Sequence, residues 1–301
     1  MGFAALSPTY VLPRQGRDYS ARPLWYDPGF ANKNANTMPL LSWILLFCLL
    51  GGALSVIAAG AYLLFPERIR TALLPHLVSF AIGALLGAAF LALLPHALAA
   101  PGVDDYHVIS ATVLLGVLGF FLLEKLVLWR HCHEAHCEVH AVDEPEDHNH
   151  NPNPAAGTLI LVGDAVHNLV DGVLIGAAFL TDIHLGIVTS LAVAAHEIPQ
   201  EVGDFAILLN SGYSRARAFV FNIISSLATL VGGVIAYASL KQAEAALPFI
   251  LAIAASSFIY VAVADLIPGL HKRVHAAATA QQVVLIAAGV LVIYAAHTTL
   301  H

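Results

Sequence analysis

The chain holds 301 residues, of which 58% are hydrophobic and only 11% charged, with a mean hydropathy of +0.77. Soluble proteins carry roughly a quarter charged residues, so a water-soluble globule is excluded and the lipid bilayer is the solvent to reason in. The net charge is −7 and the basic residues are scattered without forming a patch, which excludes a nucleic-acid partner, and the three cysteines form no secreted disulfide framework.

Residues 1–38 are rich in Pro, Asn and Tyr and contain no apolar h-region, which predicts a flexible N-terminal extension in place of a cleaved signal. From residue 39 to residue 301, windows of about 20 mainly apolar residues, the length needed to cross a bilayer, recur. They fall at 39–65, 74–99, 107–129, 157–181, 185–210, 217–240, 246–270 and 281–300. The runs are continuous and rich in Ala, Leu and Gly, where a barrel would alternate in short segments. The expected fold is therefore all-α, a polytopic membrane bundle of eight transmembrane helices. Arg68 and Arg70, Arg215 and Arg217, and Lys272 and Arg273 follow spans one, five and seven, and Lys125 and Arg130 close span three. Positive loops stay cytoplasmic, which puts both termini outside.

Between spans three and four lies "HCHEAHCEVHAVDEPEDHNHNPNP", part of a His-rich cytoplasmic loop at 131–156. Its imidazoles, thiols and carboxylates suit Zn²⁺ and its neighbours, while the acidic run and "NPNP" oppose a stable helix. No paired C-x₂-C knuckle occurs, so the loop reads as a collector of metal and not as a fixed structural site.

Span four contains "LVGDAVHNLVDGVLIGAAFL", in which His167 and Asp171 share a face, with Asn168 beside them. Gly163, Gly172 and Gly176 are expected to let neighbouring helices approach. Span five contains "AAHEIPQEVGDFAILL", where His196 pairs with Gln200 and Glu197 with Glu201 at i,i+4. Pro199, lacking an N–H, frees the carbonyl of Ala195 and is expected to kink the segment, as are Pro95 and Pro268 in theirs. Asp164 and Asp204 read as residues near water-exposed span ends. A charged side chain at mid-bilayer costs on the order of 3 kcal/mol, and no Lys or Arg lies mid-span to neutralise Asp171, Glu197 and Glu201. Histidine combined with carboxylate selects a divalent transition metal as the neutralising partner.

"HNLVDGVLIGAAF" followed by "HEIPQEVGDFAILL" resembles the paired span-four and span-five signatures of the ZIP (Zrt/Irt-like protein) metal-ion transporters, in the subfamily with a His-Glu-x-Pro motif. "LLPHAL" ending span two and "FIYVAVADLIPGL" in span seven extend the resemblance over most of the chain after residue 39. The resemblance implies a multi-pass protein of the plasma (inner) membrane that moves Zn²⁺, or Fe²⁺, Mn²⁺ or Cd²⁺, into the cytosol. The metal is then substrate, and no prosthetic group is expected. It implies His167, Asn168, Asp171, His196 and Glu197 as ligands. Gln200 departs from the His or Glu common there, and its amide binds zinc more weakly. Glu201, next to the motif, stands as a substitute ligand or proton acceptor. Span six offers Asn222, Ser225 and Ser226 but no acid, which leaves a second metal position open. A homodimer is also left open. Because ligands must be deprotonated to bind metal, uptake is expected to weaken at acid pH.

The reading from another class is a zinc-dependent intramembrane hydrolase, with Glu197 or Glu201 as general base. The residues argue against it. Gln200 stands where H-E-x-x-H needs its second histidine, and no G-x-S-x-G occurs.

Overall fold

A computed structural model describes residues 38–131, 154–271 and 275–300. The N-terminal extension as far as residue 37 and most of the His-rich loop lie outside the described residues. Every regular element among the described residues is helical. In chain order these are α1 Leu40–Tyr62, α2 Glu67–Ala99, α3 Tyr106–His131, α4 Pro154–Thr181, α5 Ile183–Asn210, α6 Arg215–Leu240, α7 Glu244–Leu270 and α8 Ala276–Leu300.

Seven of the eight are long and apolar enough to cross a membrane. The exception is α5, which has the length, at 28 residues, but carries His196, Glu197, Glu201 and Asp204. The apolar side chains point outward as a bilayer requires: Leu114, Leu115, Val284 and Leu291 are each 60% exposed or more.

α2 differs from its predicted window. It begins at Glu67, seven residues before the apolar run, with Pro66 preceding it and Glu67 favourably placed in the first turn. Arg68 and Arg70 therefore sit on the helix and not in a loop. Hydropathy misses this turn because its residues are charged, whereas helix initiation depends on end chemistry. The three expected kink sites also differ from one another. Pro95 and Pro268 each follow a π-helical turn, Ala88–Leu93 and Val261–Leu266, where the backbone absorbs the missing donor. Pro199 instead lies inside an uninterrupted α5.

α4 packs against α5 and α6, α2 against α8, and α3 against α7. The α4–α6 contact is backbone on backbone. A Cβ on Gly172 would lie 2.0 Å from the Thr229 carbonyl oxygen, and one on Gly232 would lie 2.1 Å from that of Leu169. Gly176 meets Ala236 similarly closely, but Gly163 faces open space, so it makes no helix contact of the kind expected.

α4 and α5 are joined by one residue, Asp182. Its carboxylate caps α5 by accepting from the backbone N–H groups of His184 (2.8 Å) and Leu185 (3.0 Å). Two antiparallel helices leaving a shared corner rise 1.5 Å per residue, so residues equally far from Asp182 lie at equal depth. His167 is fifteen residues before it, and His196 and Glu197 are fourteen and fifteen after it.

Candidate metal centre

That equality of depth sets His167 level with His196 and Glu197, and Asp171, one turn along α4 from His167, joins them. The His167 Nε2 atom lies 3.7 Å from Asp171 Oδ2, 3.4 Å from Glu197 Oε1 and 3.3 Å from His196 Nε2. His196 Nε2 lies 3.2 Å from Asp171 Oδ2 and 3.5 Å from Glu197 Oε1. A tetrahedral zinc ion with bonds of about 2.0–2.2 Å requires ligand-to-ligand spacings of about 3.3–3.6 Å. The observed set fits that shell.

The local structure prepares the donors. His196 Nδ1 lies 3.1 Å from the Ala192 carbonyl oxygen one turn earlier and donates to it, which leaves Nε2 with its lone pair facing the cluster. Asp171, His196 and Glu197 are at most 1% exposed, while the His167 side chain, at 25%, forms the accessible rim. Asp171 Oδ2 and both Glu197 oxygens make no hydrogen bond. No Lys or Arg occurs from residue 131 to residue 214, so α4 and α5 supply these acids with no permanently charged partner. Buried carboxylates in that condition call for a counter-charge.

The remaining expected site residues fall elsewhere. Asn168 is buried in a relay: its Nδ2 donates to Asp164 Oδ1 at 2.8 Å, and its Oδ1 accepts from Thr229 Oγ1 of α6 at 2.7 Å. Gln200 is half-buried, one turn beyond His196. Glu201 turns away from the imidazoles into a second group, in which its carboxylate, that of Glu197 and that of Asp164 lie within 4.8 Å of one another.

Asp164 is the residue that sequence reasoning missed. It is 5% exposed, not at a wet span end. Ser225 of α6 donates to its other oxygen. A signal was available: Asp164 lies eighteen residues before Asp182 and Glu201 nineteen after it, a match in depth as close as that of the histidines.

The fold and the centre define a multi-pass helical membrane protein with buried donors suited to a divalent metal. The family described as "ZIP Zinc transporter" matches residues 40–296, and the chain belongs to it. The zinc transporter ZIP13 of Pongo abelii is 32% identical over 273 residues, covering 83% of this chain and 77% of the relative. The zinc transporter zipt-7.2 of Caenorhabditis elegans is 30% identical over 267 residues, covering 74% and 58%. The zinc transporter ZIP4 of Homo sapiens is 44% identical over a shorter stretch of 114 residues, 38% of this chain and 18% of the relative. Membership places the chain among transporters and sets the hydrolase reading aside.

Proposed function

We propose that the chain moves Zn²⁺ into the cytosol across the plasma (inner) membrane, with His167, Asp171, His196 and Glu197 as the ligands that strip and hold the ion. The observation that carries this reading is the near-tetrahedral spacing of four donors, 3.2–3.7 Å apart over five measured pairs. All eight helices cross the bilayer in this reading, α5 included, because its ionisable residues face α4 and not lipid.

A carrier must release what it binds, and the site has the means. Two neutral imidazoles and two carboxylates balance a divalent ion without excess charge, and the accessible edge of His167 gives water a route to compete. Gln200 lies one turn beyond His196 on α5. The His-rich loop, expected on the cytosolic side, would receive the ion. Uptake of radioactive zinc by metal-free proteoliposomes of known orientation tests the reading. Saturable uptake in the inward sense alone is expected. Folded protein that binds zinc but moves none would sink it.

Gln200→His should raise zinc affinity and slow release, since imidazole binds zinc better than an amide does. Unchanged affinity, measured by competition with a chelating dye, would show that a side chain at position 200 does not reach the ion.

A further inference from the structure

We propose that the groove between α4 and the first half of α6 is a lipid site, which takes one acyl chain of an anionic phospholipid and sets its headgroup against Arg217. The assignment goes beyond the transport reading and does not rest on it, since it needs only that the two helices lie in a bilayer.

α4 and α6 run in the same direction: Asn168 meets Thr229, and Gly176 meets Ala236. They touch backbone to backbone where Gly172 and Gly232 leave room, and α6 is interrupted just before that crossing, at Leu227. Towards their first residues a groove of about 500 Å³ opens on the lipid-facing side, walled by Leu161, Val162 and Val166 of α4 and by Phe221, Ile224 and Val231 of α6. Each wall follows the i,i+3/i+4 stripe of one helix face. Most of these side chains are exposed, with Val162 at 55% and Ile224 at 58%.

Length selects the occupant. The groove runs from Thr158 to Leu169, eleven residues, or about 16 Å at 1.5 Å per residue. The hydrocarbon core is about 30 Å thick, so the groove has the depth of one leaflet and is closed at the helix crossing. A transmembrane helix is about 10–12 Å across and runs the full thickness. A single acyl chain fits the space, and a helix does not.

Charge selects the headgroup. Arg217 is exposed and lies four residues before Phe221, so it continues the groove face of α6 by one turn towards the membrane surface. Beside this mouth the Tyr213 hydroxyl lies 3.3 Å from Thr158 Oγ1, and the Tyr213 ring meets Phe221 edge-on at 5.7 Å. A guanidinium with two hydroxyls is a donor set for a phosphate, and tyrosine is at home at headgroup level. No Asp or Glu occurs from residue 205 to residue 243 or from residue 154 to residue 163, so neither wall carries an acid at the mouth to repel an anion.

The back of the groove touches the buried relay. Ser225 forms part of the wall, with its hydroxyl turned inward to Asp164. A chain lying there presses the first half of α6 onto α4 and keeps water from the Ser225–Asp164 bond. Lipid composition thereby acts on Asp164 and Asn168 from outside the bundle.

The test uses the purified full chain, stripped of lipid in detergent and offered phosphatidylglycerol or phosphatidylcholine, with the lipid retained per chain counted by mass spectrometry of the intact complex. Wild type is expected to hold one phosphatidylglycerol in preference to phosphatidylcholine and to melt higher with it. Val162→Trp, which fills the groove with an indole, should lose the retained lipid whichever headgroup it carries. Ile224→Trp, on the facing wall, decides the matter if that variant does not fold. In Arg217→Gln the preference for phosphatidylglycerol should fall about fivefold, the worth of one basic residue at an anionic surface. Arg68→Gln, which removes the same charge from α2, should leave it unchanged. Equal retention of the two lipids by wild type, an unchanged preference in Arg217→Gln, or undiminished retention in the filled variants would overturn the proposal. A wild-type dimer that the filled variants lose would give the groove to a second copy of the chain instead. Zinc uptake enters none of these readouts, so failure here leaves transport standing, and failed uptake leaves the lipid site standing.

Discussion

Asp171→Ala and Glu197→Ala will each lower zinc uptake to the level of protein-free vesicles. Asp171 is approached by both imidazoles, at 3.7 and 3.2 Å, and Glu197 by both, at 3.4 and 3.5 Å. Either loss therefore removes a donor that both imidazoles face. Loss of a mere outer partner of a metal ligand costs roughly 10–100-fold, and loss of the ligand itself should exceed that. Stability should move the other way. A buried carboxylate without compensation costs on the order of 3 kcal/mol in a membrane interior, so Glu197→Gln should melt higher than wild type without metal and gain less from added zinc. A folded Asp171→Ala protein that retains half of its uptake would remove this centre from the transport route.

Gly172→Ala is expected to damage the protein more than any other single-methyl change in α4. In an isolated helix the substitution would help, by up to about 1 kcal/mol. Here the new methyl would sit 2.0 Å from the Thr229 carbonyl oxygen, and backbone cannot step aside as a flexible side chain can. Overpacking typically costs 1–3 kcal/mol, and a backbone clash belongs at the upper end of that range. The displaced α6 would also pull Thr229 from Asn168 and Ser225 from Asp164, so uptake should fall with stability. Gly163→Ala, on the same helix but facing open space, should match or exceed the wild-type melting temperature. Equal melting of the two variants would mean that close α4–α6 packing is not needed.

Much of this was legible before any coordinates. The window pattern matches eight long helices among the described residues, seven of them apolar enough to cross a membrane, because hydropathy over 20 residues is a strong signal. The i,i+4 spacing placed His167 with Asp171 on one face. What it could not show was which of the two faces of α5 each residue joined. Glu197 and Glu201 read as a pair, yet Glu197 stands at the junction of two groups while Glu201 belongs to one. Asp164 was hidden for a different reason: reading a helix by its distance from the window edge treats an acid near that edge as wet. Its burial comes from α6, whose Ser225 is distant in sequence. Gly163 shows the limit from the other side. Composition marks a small residue, but only the partner helix decides whether smallness is used.

A single residue, Asp182, separates two helices of 28 residues each, and the depth of every donor is measured from it. An inserted residue there would turn α5 by about 100° and slide it by about 1.5 Å, which separates the donors while leaving each of them in place along its own helix. The corner thus works as a length standard. Point substitutions on either arm can retune which ion is preferred, one donor at a time, whereas a change in the length of the corner discards the whole arrangement at once. Descendants of such a chain can diversify in chemistry freely, but their geometry is held to one gauge.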